Sequence, residues 1–283
     1  MSTTRRFTQV DVFTNTPLHG NPLAVVHDAI GLTDAQMQHI AAWTNLSETS
    51  FLLPPTDAST ADYRVRIFTT ERELPFAGHP TLGSCHAWLA AGGQPRAGEV
   101  VQECGAGLVR IRRDGERLAF AAPPLLRSGA VAPETLAQIA RSLRVAPSAI
   151  MASQWVDNGP GWVAVMLASR AELLAVEPDY QAMRELDLGV VAPCVDVDGV
   201  DGVDFEVRAF FPTKSGGIED PVTGSLNAGL AQWLIGAGLA PERYIASQGT
   251  ALGRAGRVHV ERVGEVTWIG GDSVVVVRGE VTL

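Results

Sequence analysis

Cysteine is scarce in this chain: Cys85, Cys104 and Cys194 are the only three in 283 residues. An odd number at wide spacing does not make a disulfide framework, so a reducing, cytoplasmic setting is expected and the three read as plain buried thiols. A basic stripe is missing too. The chain carries 22 Lys and Arg against 31 Asp and Glu, a net charge of −9 with a sequence pI near 5.2, which argues against a nucleic-acid surface and against anionic membranes. No signal-peptide core follows Arg5 and Arg6, and the longest uncharged run is interrupted by Pro, Asn, Gln and Gly. Neither export nor membrane spanning is expected.

Several chemical signatures are absent as well. The six histidines (His19, His27, His39, His79, His86 and His259) form no HExxH and no paired metal pattern, although His79 and His86 can share a helix face. No dinucleotide fingerprint follows a strand. Lys214-Ser215-Gly216-Gly217 precedes a helix in the manner of a phosphate loop but lacks the Gly-Lys-Ser/Thr order of one. No metal and no cofactor are therefore expected. What is present, 46% hydrophobic and 19% charged residues, is ordinary globular composition at a length sufficient for two domains with cores.

Two stretches lack charge altogether, and the rest of the chain is organised around them. Residues 80–91 and 221–240 contain no Asp, Glu, Lys or Arg. Each opens on a polar residue followed by proline (His79-Pro80, Asp220-Pro221) and closes on glycine, which reads as a helix starting near Pro80 and another near Pro221. A helix without a charged face is usually buried all round. The unpaired first N–H groups and the positive end of the dipole make each start a place for an anion such as a carboxylate.

The two stretches read as copies. HPTLGS from His79 lies over DPVTGS from Asp220 at an offset of 141 residues; VRIF from Val65 matches VRAF from Val207 at 142, and GLVRIRRDGE from Gly107 matches GRVHVERVGE from Gly256 at 149. Three collinear pairs argue for a duplication with two domains about a pseudo-twofold axis, residues 1–125 and 126–283. The last strand, about 273–283, has no counterpart ending the first repeat and is expected to return to the N-terminal half.

Between these landmarks, residues 7–13 and 22–28 read as a strand pair. Thr33 with Gln36 makes a capping box for a helix ending near Asn45. Glu48 stands just before an apolar strand, 51–53. Strands are expected at 63–70, 99–112 and 117–122, then a surface helix at 133–143. The second half replays this with strands at 155–157 and 162–167, a helix at about 171–186, a strand at 192–197, and strands at 257–262, 265–269 and from 273.

The set QVDVF, GNPLAVV, NLSETSF, ELPFAGHPTLG and GIEDPVTGS, with a closing GG before the terminal strands, resembles the PhzF-like family of phenazine-biosynthesis isomerases, related to diaminopimelate epimerase. The resemblance covers nearly the whole chain. It implies an α+β fold of two pseudo-symmetric domains, each a mixed sheet, close to a barrel, wrapped around a central buried helix, with the active site in the cleft between them. By the same resemblance Glu48 is the group that takes a proton from one carbon and returns it to another, His79 and Asp220 assist, and Gly78, Gly224 and Ser225 contact substrate. The reaction implied is a cofactor-free isomerisation of a small carboxylic acid, dihydro-hydroxyanthranilate or a related compound, by a homodimer.

The residue types suit that chemistry, since proton abstraction from carbon needs a base together with donors prearranged for the developing charge. Each residue also has a plainer reading: Glu48 as an exposed carboxylate, His79 as a packed histidine, Asp220 as an N-cap. Cys104, in ECGAG, faintly resembles the cysteine motifs of the epimerase relatives, but it falls in a strand-like segment while His79 and Asp220 occupy the helix starts. Two other functions stay open: a non-catalytic protein that binds a small acid, and an epimerase of amino or hydroxy acids.

Overall fold

In a computed structural model the described residues are 3–194, 202–213 and 216–283. They form two units, Met1–Ala121 with Gly270–Leu283, and Ala122–Ile269.

The first unit begins with β1 (Thr4–Val12) and β2 (Asn21–Val26), an antiparallel pair. Helix α1 (Asp34–Thr44) follows, opened by the Thr33/Gln36 capping box and stopped by Asn45 in the left-handed conformation (φ 54°). β3 (Thr49–Leu53) runs parallel to β2 and antiparallel to β4 (Tyr63–Phe68), which also takes the two-residue β5 (Glu73–Leu74). Helix α2 (Gly78–Ala90) leads to β6 (Val100–Cys104), parallel to β4, and on to β7 (Gly107–Asp114) and β8 (Arg117–Ala121). The single strand expected at 99–112 is two strands, because Gly107 at φ 102° turns the chain after Cys104.

The second unit repeats these connections. It opens with β9 (Arg127–Gly129), α3 (Pro133–Leu143) and the antiparallel pair β10 (Ala152–Asp157) and β11 (Val163–Met166). Short helices α4 (Arg170–Leu174) and α5 (Tyr180–Met183) stand where one helix over 171–186 was expected. Pro178 interrupts the ladder, and Asp179 restarts it by capping the Gln181 and Ala182 N–H groups.

β12 (Leu188–Pro193) is parallel to β11 and antiparallel to β13 (Phe205–Thr213), which takes β14 (Gly216–Asp220). The strand expected at 192–197 thus begins four residues earlier, and 195–197 lie outside the described residues, as do Lys214 and Ser215 of the phosphate-loop reading. Helix α6 (Gly224–Gly236) leads to β15 (Arg243–Gln248), parallel to β13, then β16 (Gly256–Val263) and β17 (Val266–Gly271). β18 (Ser273–Thr282) lies antiparallel on β1 in the first unit, and β9 lies antiparallel on β10 in the second. The terminal strand therefore does have a counterpart. β9 is short because Pro123 and Pro124 just ahead of it have no N–H to pair and Gly129 leaves the extended region at φ 96°.

Each unit is built around its uncharged helix. α2 packs against β1, β2, β3, β6, β8 and β18, and α6 against β10 and β16. A glycine in the middle of each allows the close approach. A Cβ on Gly83 would lie 2.5 Å from Leu23 and 2.8 Å from Val12, and one on Gly229 would lie 2.3 Å from the Val156 main-chain oxygen.

These contacts fix the register of the duplication. Gly83 and Gly229 are each the sixth residue of a 13-residue helix, the N-caps are Ala77 and Thr223, and the helices start at Gly78 and Gly224. The offset at the helices is 146 residues, not the 141 at which HPTLGS lies over DPVTGS. His79 is the second residue of α2, but Asp220 ends β14, four residues before α6 begins, and its counterpart in the first unit is Leu74 at the end of β5, not His79. Asp220 is neither an N-cap nor a helix start, as the sequence had implied.

Candidate active site

In the first unit the structure brings Glu48, His79 and Gly78 together. Thr49 and Phe51 of β3 face α1, through the Thr44–Thr49 hydroxyl contact (2.8 Å) and the cluster of Met37, Ile40 and Ala41. Strand alternation then sends the preceding residue, Glu48, to the other face, toward α2. There Glu48 Oε2 lies 3.0 Å from His79 Nδ1. The His79 ring is almost fully buried, while the Glu48 side chain keeps 17% of its surface exposed and stays accessible to a ligand.

The other imidazole nitrogen settles the hydrogen-bond directions. His79 Nε2 lies 3.0 Å from the main-chain oxygen of Asn21. A carbonyl only accepts, so Nε2 carries a hydrogen and donates it. Nδ1 and Glu48 Oε2 are hydrogen-bonded only if one further proton lies between them, on the carboxyl or on the ring. Asn21 is itself held: Asp11 Oδ2 accepts from the neighbouring Gly20 N–H at 3.1 Å. No side chain fits at residue 20, where a Cβ would lie 2.1 Å from the Val12 oxygen.

In the second unit Asp220, Gly224 and Ser225 gather at the start of α6. Asp220 is buried, and the Thr223 hydroxyl donates to its Oδ2 at 2.6 Å. Ser225 Oγ accepts from the Trp162 indole N–H (3.0 Å), and the Ser225 carbonyl from Asn158 Nδ2 (2.8 Å). Gln248, fully buried, joins the strand to the helix: its Oε1 accepts from Thr223 N and Asn227 Nδ2, and its Nε2 donates to the Asp220 carbonyl and to Thr223 Oγ1.

Asn21, Thr223, Trp162 and Gln248 were not singled out from the sequence. Asn21 acts through its main chain and so leaves no side-chain signal beyond the Gly-Asn-Pro turn. Gln248, a long polar residue at the buried end of the strand RYIASQ, has no sequence signal of its own beyond that place. The thiols stand apart from this chemistry: burial pushes the Cys85 thiol up to about 12 against a smaller opposing effect of the neighbouring Tyr63 hydroxyl, and burial also raises that of Cys104. Among the described residues no three His, Cys, Asp or Glu side chains cluster as metal ligands do, and no helix is long and apolar enough to cross a membrane.

The phenazine biosynthesis-like protein family (PhzC-PhzF) matches residues 10–279. The chain belongs to this family. The antisense-enhancing sequence 1 protein of Schizosaccharomyces pombe is 38% identical over 89% of this chain and 88% of its own. The trans-2,3-dihydro-3-hydroxyanthranilate isomerase of Pseudomonas aeruginosa is 33% identical over 92% and 91%. The crystal structure of a PhzF-family phenazine biosynthesis protein from Enterococcus faecalis, 27% identical, covers 99% of this chain and 100% of its own with a TM-score of 0.81. The α+β architecture is that of the PhzF family, and the chain is an isomerase of that family.

Proposed function

We propose that this PhzF-family protein is a cofactor-independent isomerase that moves a proton between two carbons of a small carboxylic acid, with Glu48 as the group that takes and returns it. The observation that carries this reading is the Glu48–His79 contact, with the ring hydrogen of Nε2 committed to Asn21. A substrate C–H bond breaks, its electron pair enters the conjugated system next to the carboxylate as an enolate, and the proton goes to Glu48. Glu48 accepts it because the proton already in the pair can sit on Nδ1 of His79. The pair holds one proton at rest and two in the intermediate, and delivering one to a different carbon completes the isomerisation without net change. The N–H groups at the starts of α2 and α6, beginning at Gly78 and Gly224, suit an anionic substrate group, as does Ser225 beside the latter.

Asp220 assists in the same reaction on this reading, with its carboxylate set by Thr223. The substrate class follows the Pseudomonas aeruginosa relative, so trans-2,3-dihydro-3-hydroxyanthranilate is the first compound to assay. Double-bond movement is followed by NMR with the wild type and Glu48→Gln. Loss of turnover in the variant supports the reading; equal turnover by both removes Glu48 from the mechanism, and inversion at one stereocentre in place of double-bond movement makes the protein an epimerase.

A further inference from the structure

Thr223 is the N-cap of α6, yet its side chain makes no capping bond to the helix. A threonine at that position ordinarily accepts from an N–H of the first turn. Here the hydroxyl oxygen accepts from Gln248 Nε2 at 2.9 Å and its hydrogen goes to Asp220 Oδ2 at 2.6 Å. The orientation of the Gln248 amide is not open to a flip. Thr223 N only donates, so it faces Oε1 (3.0 Å), and the Asp220 carbonyl only accepts, so it faces Nε2 (3.1 Å). With Gln248 Nε2 committed to Thr223 Oγ1, the hydroxyl hydrogen has one direction left, toward Asp220.

The first unit supplies the comparison. Gln102 there reaches Thr81, the fourth residue of α2, at 3.1 Å, as Gln248 reaches Asn227, the fourth residue of α6, at 2.8 Å. The N-cap of α2 is Ala77, with no hydroxyl to direct. Anchoring a central helix thus takes one glutamine bond, and the further bonds of Gln248 all go to Thr223 and Asp220.

We infer that Gln248 and Thr223 are positioning residues that fix the orientation of the Asp220 carboxylate, holding Oδ2 as a hydrogen-bond acceptor toward the Thr223 hydroxyl. This rests on the reading of Asp220 as a working group in the isomerase. Gln248→Glu keeps both acceptor contacts and loses both donors, so the Thr223 hydroxyl turns to the introduced carboxylate and releases Asp220. Thr223→Val deletes the hydroxyl at nearly constant shape, and Thr223→Ser restores it.

The test takes crystal structures of Gln248→Glu and Thr223→Val together with turnover of trans-2,3-dihydro-3-hydroxyanthranilate and thermal melts. The expected result is an Asp220 carboxylate rotated away in both variants. With it go a kcat lower by on the order of 100-fold at a KM within about twofold, recovery in Thr223→Ser, and a double variant no worse than Gln248→Glu alone. An Asp220 carboxylate left in place in Gln248→Glu overturns the inference whatever the substrate, and so does a loss of rate that only follows the loss of thermal stability. Asp220→Asn separates the two readings: unchanged turnover in that variant removes Asp220 from the reaction, whereas lost turnover there with full activity in Thr223→Val removes only the positioning role.

Discussion

The Asn21 carbonyl and His79 Nε2, 3.0 Å apart, decide which nitrogen of the imidazole faces Glu48. With the Nε2 hydrogen spent on the main chain, Nδ1 is the only ring atom that can exchange a proton with the carboxyl. His79→Gln removes that exchange, because an amide cannot pick up and return a proton near neutral pH. The expected outcome is a fall in kcat of roughly 10²-fold to 10⁴-fold with a thermal midpoint close to that of the wild type. Nitrogen-15 NMR of the wild-type ring adds a direct check, with a slowly exchanging hydrogen on Nε2. A ring found protonated on Nδ1 and bare at Nε2 would sink the assignment.

Two glycines occupy matching places and differ in what surrounds them. The Cβ introduced by Gly83→Ala meets side-chain atoms of Leu23 and Val12, which can shift, at a cost of about 1–3 kcal/mol. In Gly229→Ala it meets the main-chain oxygen of Val156 in β10, which cannot move without disturbing the pairing of Val156 with Ser128 of β9. Gly229→Ala is expected to be the more destabilising of the two, by about 1 kcal/mol or more, in urea denaturation. Indistinguishable midpoints for Gly229→Ala and the wild type would contradict the packing that sets the 146-residue register.

That register shows where reading the sequence succeeds and where it stops. The ends of α1 were legible because Thr33, Gln36 and Asn45 act locally, and α3 because Pro133 at its first turn and Leu143 at its end bracket an amphipathic pattern. Glu48 and His79 were legible as candidates through the words that hold them. The alignment of HPTLGS with DPVTGS misled because Pro, Thr, Gly and Ser recur at any helix entrance. The true match, Gly83 with Gly229, shares only the absence of a side chain, and close approach between elements distant in sequence imposes that absence. Similarly, β9 is three residues with no alternation to betray it, and only its pairing with β10 makes it a strand.

His27, at the end of the β1–β2 pair, is buried, with Nε2 at 2.9 Å from Thr8 Oγ1. Burial lowers its pKa below the ordinary 6.5, and the positive charge of Arg6 lowers it further against a smaller opposing effect of Asp28. The unfolded chain therefore binds a proton more readily than the folded one. The contribution of His27 to stability is complete above pH 6.5 and is lost as pH falls from there through the depressed folded value. Melting the wild type and His27→Gln between pH 8 and pH 5 is expected to give a steeper acid decline in the wild type. Parallel curves would mean that His27 titrates alike in both states.

Cys85 tests whether any thiol chemistry belongs to this site. It lies in α2 six residues after His79, fully buried, with its pKa pushed up to about 12 by burial, against which the Tyr63 hydroxyl works only in part. At pH 8 the thiolate, which is the reactive form, is a negligible fraction. Iodoacetamide is expected to leave Cys85 unmodified in the folded protein and to leave turnover intact, while the half-buried Cys104 and Cys194 react first. Peptide mass spectrometry beside the rate measurement tells which thiol any inhibition tracks. Inhibition that tracks alkylation of Cys85 itself would put a sulfur among the proton-transfer groups and require the Glu48–His79 scheme to be redrawn around it.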